Sequence, residues 1–262
     1  LNFQGMWWNA PAGSEAGWGI NFAHQGEVIF ATWFTHDLNG KAWNLSLSAF
    51  QAGPNTFSGT LYQTSGAPLD AVPFDPAQVQ RMAVGSATLT FVDANNGTFA
   101  YTVNGIAQTK AITRQVFGAL PTCVWGGLSD LRLATNYQDM WWAAGGVESG
   151  WGINFAHQGD ILFATWFTYD FTGASLPLSA TLTRVGANVY SGSLIRTAGP
   201  PFNAVPFNPG AVTHSVVGMA TVTFTNGNAA TLSYQVNDGS KSVTQTKSIT
   251  RQVFRAPGTA CH

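Results

Sequence analysis

The chain repeats itself, and that constrains its fold more than any other feature. Gly17–Thr35 and Gly150–Thr168 are identical at 16 of 19 positions, and the three exceptions are Glu/Asp, Val/Ile and Ile/Leu pairs. The match extends outward: NFQGMWW at Asn2–Trp8 answers NYQDMWW at Asn136–Trp142, AVPF at Ala71–Phe74 recurs at Ala204–Phe207, and ITRQVF at Ile112–Phe117 recurs at Ile249–Phe254. Chance does not produce this, and a period of about 130 residues leaves each copy long enough to hold its own core. The chain therefore divides into copy one (1–118), a linker (119–134) and copy two (135–262). Whatever it does is done twice, or at the junction between the copies.

Within a copy, strand signals dominate. Trp18, Ile20, Phe22 and His24 alternate with Gly19, Asn21 and Ala23, and Gln25-Gly26 reads as a two-residue hairpin turn. The returning strand runs from Glu27 to about Asp37, where Asn39-Gly40 turns the chain again. Further strands fall near Met6–Trp8, Trp43–Phe50, Phe57–Thr64, Ala87–Val92, Thr98–Val103 and Ala107–Val116. About eight hairpin-linked strands per copy close naturally into a barrel, because closure removes exposed edges. The expected fold is all-β: two tandem antiparallel up-and-down barrels, with a sandwich as the alternative.

Composition narrows the function classes. Charged residues make up 9% and the formal net charge is −1, so no basic face is available to neutralise phosphates, and nucleic acid is not an expected partner. No apolar run approaches the roughly 20 residues of a membrane-spanning helix. Cys123 and Cys261 sit just past matching ends of the two copies. A disulfide between them implies an oxidising compartment, secreted or periplasmic, and a compact pseudo-two-fold pair. The sequence starts at Leu1 with no leader, as a chain would after removal of a signal peptide.

The hairpin sorts side chains by face. With a Gln25-Gly26 turn, Trp18, Ile20, Phe22 and His24 share one large apolar face with Trp33, Ala31, Ile29 and Glu27. The other face carries Gly19, Asn21, Thr32 and Phe34, with Gly152, Asn154, Thr165 and Phe167 in copy two. Small residues beside directional amides and hydroxyls are the makings of a ligand pocket. The same groups also serve if they only bond each other or the backbone. Extending this face brings Glu15 near His36 and Glu148 near Tyr169. Each glutamate precedes a Gly-Trp-Gly strand, and acids are scarce, so they are candidates for ligand contact or general acid/base work, against a purely structural role in a tight loop. His24 and His157 at the hairpin tips read as exposed ion pairs with Glu27 and Asp160; one His and one carboxylate are too few for a structural zinc site. Trp8, Trp18, Trp33 and Trp43 offer faces to sugar rings, though copy two has Leu176 near the Trp43 position. No nucleophile motif, phosphate loop or cofactor motif is present.

Two further features carry a resemblance. Gly5-Met6-Trp7 on the first strand and Arg114 in ITRQVF on the last are similar to the signature of the calycin superfamily, the lipocalin and avidin type of barrel. That resemblance implies an Arg packed across the early Trp at the barrel floor. Copy two has Trp141 and Arg251 but Asp139 in place of the Gly. Separately, WW…ESGWGINFAHQGD…ATWFTYD resembles a repeat of secreted bacterial proteins of unassigned function, which implies export and carries no activity. Three functions remain open: a secreted non-catalytic binding protein with one pocket per barrel for a hydrophobic or sugar-like small molecule, a hydrolase or lyase using Glu15 and Glu148, and a structural or adhesion module.

Overall fold

A computed structural model describes residues 1–237, 239 and 241–262. Copy one forms β1 (Gly5–Asn9), β2 (Gly19–Gln25), β3 (Val28–His36), β4 (Ala42–Gly53), β5 (Thr56–Ser65), β6 (Gln80–Phe91), β7 (Asn96–Val103) and β8 (Ile106–Arg114). These close in chain order, with β1 pairing to β8 as well as to β2. The linker holds a short β9 (Cys123–Trp125). Copy two forms β10 (Asp139–Ala143), β11 (Gly152–Gln158), β12 (Ile161–Tyr169), β13 (Ser175–Gly186), β14 (Val189–Ala198), β15 (Thr213–Asn226), β16 (Ala229–Asn237) and β17 (Ser242–Arg251). It closes the same way, and β18 (Thr259–Cys261) pairs antiparallel with β9.

The β2–β3 hairpin turns one residue later than the sequence suggested. Gln25 pairs with Val28, so Gly26 and Glu27 make the turn, and Asn21 lies opposite Thr32. Gly26 sits at φ 61°, where a side chain would be strained. The pairing moves by two residues, and because side chains alternate with a period of two, every residue keeps its face. Ile20, Phe22 and His24 point into the barrel, and Asn21, Ala23 and Gln25 point out.

That inward direction corrects the reading of the histidines. His24 is not in an exposed ion pair; it is buried, stacked on Phe3 with centroids 5.5 Å apart. Phe3 N donates to its Nδ1 at 3.0 Å, and its Nε2 lies 2.9 Å from Gly26 O. His157 does the same with Tyr137 N and Gly159 O. Both ring nitrogens are thus engaged by backbone. Glu27 pairs instead with Arg255, and Asp160 with Arg184.

The barrel floors are sealed by arginine over tryptophan. Arg114 Cζ lies 5.0 Å from the Trp7 ring and Arg251 Cζ 5.3 Å from that of Trp141. Asp139, which broke the Gly-x-Trp pattern, is fully buried 3.3 Å from Arg251 Nη1 and compensates part of that cation's burial. Burial still pushes its carboxyl up against the pull of Arg251.

The opposite ends are closed by exchange. Residues 66–79, between β5 and β6, leave barrel one and enter the core of barrel two, where Ala67, Leu69 and Phe74 are buried. Residues 199–212, between β14 and β15, return the visit, placing Phe202 and Phe207 in the core of barrel one. The arms end in Val79 and Val212, which press on Gly150 and Gly17. A Cβ there would come within 2.3 and 2.4 Å of valine methyls, which explains the first glycine of each Gly-Trp-Gly.

The disulfide joins Cys123 to Cys261 directly across the β9–β18 pair, closing 138 residues of chain. By loop entropy that contributes about 5 kcal/mol. Reduction, or Cys123→Ser with Cys261→Ser, is therefore expected to lower the urea midpoint by a corresponding amount; an unchanged midpoint refutes this. A second expectation concerns pH. Burial lowers His24 and His157 from 6.5 to about 4, against the Gly26 and Gly159 carbonyl bonds that raise them. The unfolded chain takes up their protons first, so their contribution is present above pH 6.5 and is lost as pH falls toward 4. The loss is about 3 kcal/mol per histidine. Urea midpoints should drop between pH 6.5 and 5, before most carboxylates titrate, and the drop should flatten in His24→Gln/His157→Gln. A flat wild-type profile in that window contradicts the assignment.

Candidate functional site

Most of the residues singled out as pocket candidates meet at the junction of the barrels. The outward faces of β2–β3 and β11–β12 press on each other. Asn21 Nδ2 donates to Asn154 O at 2.8 Å, and Asn154 Nδ2 donates to Asn21 O at 2.9 Å. Asn21 Nδ2 also lies 3.2 Å from Thr165 Oγ1, which bonds Asn154 O. Phe30 meets Phe167 and Phe34 meets Phe163 across the junction, with centroids 6.1 and 5.9 Å apart. The small residues do leave space, but aromatic rings fill it: a Cβ on Gly19 would lie 2.6 Å from the Phe34 ring, and one on Gly152 2.7 Å from Phe167. Asn21, Thr32, Asn154 and Thr165 are buried there, so the Gly/Asn/Thr face is a contact between copies and not the wall of an open pocket. The physical reason is that a closed barrel has a dry outer face wherever a second barrel is packed on it.

Glu15 and Glu148 lie away from the junction, at the barrel mouths. Trp18 Nε1 donates to Glu15 Oε2 at 2.8 Å and Lys110 Nζ to the same atom at 2.7 Å, with Lys110 5.4 Å from the Trp18 ring. Trp151, Glu148 and Lys247 repeat the arrangement at 2.9, 2.7 and 5.5 Å. The lysines were missed in the sequence. The signal was there: Gln108-Thr109-Lys110 recurs as Gln245-Thr246-Lys247, and alternation along β8 turns Lys110 inward with Ile106, Gln108 and Ile112.

His36 and Tyr169 do not join these glutamates. His36 has Nδ1 3.1 Å from Pro200 O and Nε2 3.1 Å from Thr197 Oγ1, both from the sister barrel, and burial lowers its pKa. Tyr169 Oη donates to Gly150 O at 2.6 Å, and its ring lies 2.6 Å from where a Cβ on Gly66 of the sister arm would be. The two positions differ in residue yet both reach the sister copy.

Two hollows bear on ligand binding. One, of about 570 Å³, lies beside the disulfide and is lined by Leu1, Asn2, His24, Gly26, Glu27, Gln51 and Cys123–Trp125. The other opens at the far end of the junction, where the β3–β4 and β12–β13 loops meet. It holds about 420 Å³ and draws on both copies: Asp37, Lys41, Trp43 and Gln63 from one, Asp170, Ser175, Arg196 and Phe202 from the other. Asp37 Oδ1 accepts from Asn39 N and Lys41 N, and Asp170 Oδ1 from Thr172 N and Ala174 N, so the carboxylates are fixed by their own turns. Trp43 Nε1 donates to Gln63 Oε1 at 3.1 Å, which holds the indole edge. Trp43 and Phe202 lie 5.6 Å apart. Two carboxylates face one lysine and one arginine, so the lining is close to neutral. Equivalent positions carry different residues: Lys41 against Ala174, Trp43 against Leu176, Gln63 against Arg196.

Among the described residues no cluster of three or more His, Cys, Asp or Glu side chains is placed to hold a metal ion. Among the same residues no helix is long and apolar enough to cross a membrane. No protein-family model, no curated protein and no solved structure matches the chain.

Proposed function

We propose that the protein is a secreted, non-catalytic binding protein that takes one neutral, sugar-like molecule in the cleft between its two barrels. The observation that carries this is where the copies differ. The residues that hold the fold recur in both: Asn21 and Asn154, Glu15 and Glu148, Arg114 and Arg251. The cleft residues Lys41, Trp43 and Gln63 do not recur. The copies also differ elsewhere, at Gly5 against Asp139 and His36 against Tyr169 for example, but here differing residues of both copies line one hollow. The chemistry supports the ligand class. An indole offers a flat apolar face, and carboxylates, amides and a guanidinium offer directional bonds to hydroxyls. Balanced charge favours a neutral ligand, and the volume falls within the usual range of small-molecule sites. The disulfide supports export.

The stoichiometry differs from one pocket per barrel, because the barrel interiors are filled by aromatic side chains and the arms. That same filling supports a second reading, a structural or adhesion module. A hydrolase using Glu15 or Glu148 has less support: each carboxylate is already shared by an indole and a lysine.

Titration with a panel of neutral mono- and disaccharides, followed by calorimetry, should find binding at one ligand per chain. Two substitutions test the cleft by giving each copy its sister's residue. Trp43→Leu and Arg196→Gln should each weaken binding at least about tenfold, or about 1.4 kcal/mol, without lowering the melting temperature by more than a few degrees for the exposed Arg196. Two ligands per chain, or affinity indifferent to both changes, contradicts the site. No binding across the panel favours the structural reading.

A further inference from the structure

Each barrel mouth holds an arm of the other barrel, a looped segment with a turn at its start and a 3-10 turn at its end. In the mouth of barrel two, Gly66 N donates to Gly173 O at 3.0 Å and Leu69 N to Tyr169 O at 3.1 Å, while Leu69 O accepts from Tyr234 Oη at 3.0 Å. Leu69 and Phe74, five residues apart, are the apolar anchors. Gly66 passes where a Cβ would come 2.6 Å from the Tyr169 ring. The mouth of barrel one receives the other arm by the same contacts: Gly199 N to Gly40 O at 3.0 Å, Phe202 N to His36 O at 2.9 Å, and Phe202 O accepting from Tyr101 Oη at 2.9 Å. Its anchors are Phe202 and Phe207. The backbone contacts are invariant between the two, while the first anchor changes from Leu to Phe. Main-chain bonds for affinity and pockets for side-chain anchors are how protein sites recognise peptide segments.

We propose that each mouth is a peptide-binding site, filled in cis by the sister arm and able to take the same arm in trans from a second copy of this chain. Within one chain the linker and the disulfide keep the cis arm at high effective concentration, so cis filling dominates. Chains refolding together at high concentration meet arms from neighbours that make identical contacts, and exchange then yields a dimer.

The test uses the full chain with residues 67–74 replaced by Gly and Ser, which empties mouth two. Arm one does not line the axis cleft, so saccharide binding stays separately measurable in this variant and its failure is distinguishable. The probe is a synthetic peptide of residues 66–77, followed by calorimetry and by fluorescence of Trp151 and Trp166. Saturable binding at one peptide per chain is expected. A peptide carrying Leu69→Ala and Phe74→Ala should bind at least roughly tenfold more weakly, and the wild-type chain, with its mouths filled, should not bind. If the replacement does not fold, Leu69→Ala/Phe74→Ala in the full chain keeps the arm backbone, loosens its anchors and is titrated with the same peptide. A folded variant that ignores the peptide, or binds both peptides equally, overturns the proposal. Refolding the wild-type chain at rising concentration should give a growing dimer fraction by light scattering; a monomer at every concentration overturns the exchange in trans.

Discussion

A barrel of eight strands has two ends, and here each barrel seals only one of them with its own residues. The floor is closed internally, by Arg114 over Trp7 and by Arg251 over Trp141. The mouth is closed by four apolar anchors in total, Leu69 and Phe74 in one direction and Phe202 and Phe207 in the other. Fully burying a side chain of this size contributes roughly 1.5–3 kcal/mol. Two per mouth is a substantial share of the 5–15 kcal/mol that separates a folded domain from its unfolded chain. The two cores are therefore one thermodynamic unit, although the sequence reads as two domains. Opening one barrel exposes the anchors of the other.

The remainder of the junction follows from that exchange. Arms that cross in both directions force equivalent surfaces to face each other, so Asn21 must meet Asn154 and Cys123 must meet Cys261. The asparagine pair is not a strong source of stability. Its amide oxygens, with the Thr32 hydroxyl, have no partner among the described residues, and an unmatched buried polar atom costs about 1–3 kcal/mol. Its effect is registry. Each amide N–H finds the sister's main-chain carbonyl in one alignment, and sliding the barrels past each other would strand both amides as well as their oxygens.

Much of the fold was legible because it rests on short-range pattern. The strand count, barrel closure and disulfide pairing follow from alternation, turn residues and the repeat. Even the misplaced turn left the face assignment intact, since a shift of two preserves parity. What a face was for could not be read the same way. Asn21 and Thr32 look alike whether they face a ligand or a second barrel, because both demand small residues with directional groups. His24 looked exposed because it adjoins a turn, whereas parity with Phe22 turns it inward. The arms carried a visible signal, the recurrent AVPF, but nothing local says that a loop packs into a neighbour. Trp43 was noticed and set aside because copy two lacks it, and the structure places it at the hollow that the two copies share.

Duplication poses a specific problem for a site on the axis. Two identical copies would present the same groups to a ligand in two orientations related by the axis. An asymmetric molecule would then meet each favourable contact equally in two poses related by the two-fold rotation, with no preference between them. Replacing one Trp by Leu and one Gln by Arg removes that degeneracy. The indole of Trp43 and the amide of Gln63 come from one copy and the guanidinium of Arg196 from the other, so the two copies line the cleft with unlike groups. The barrels are held together by contacts that stayed symmetric, which keeps the frame rigid while the lining diverges. A scaffold of this kind separates the residues that must match from those free to differ, and some of the free ones line the hollow that the two copies share.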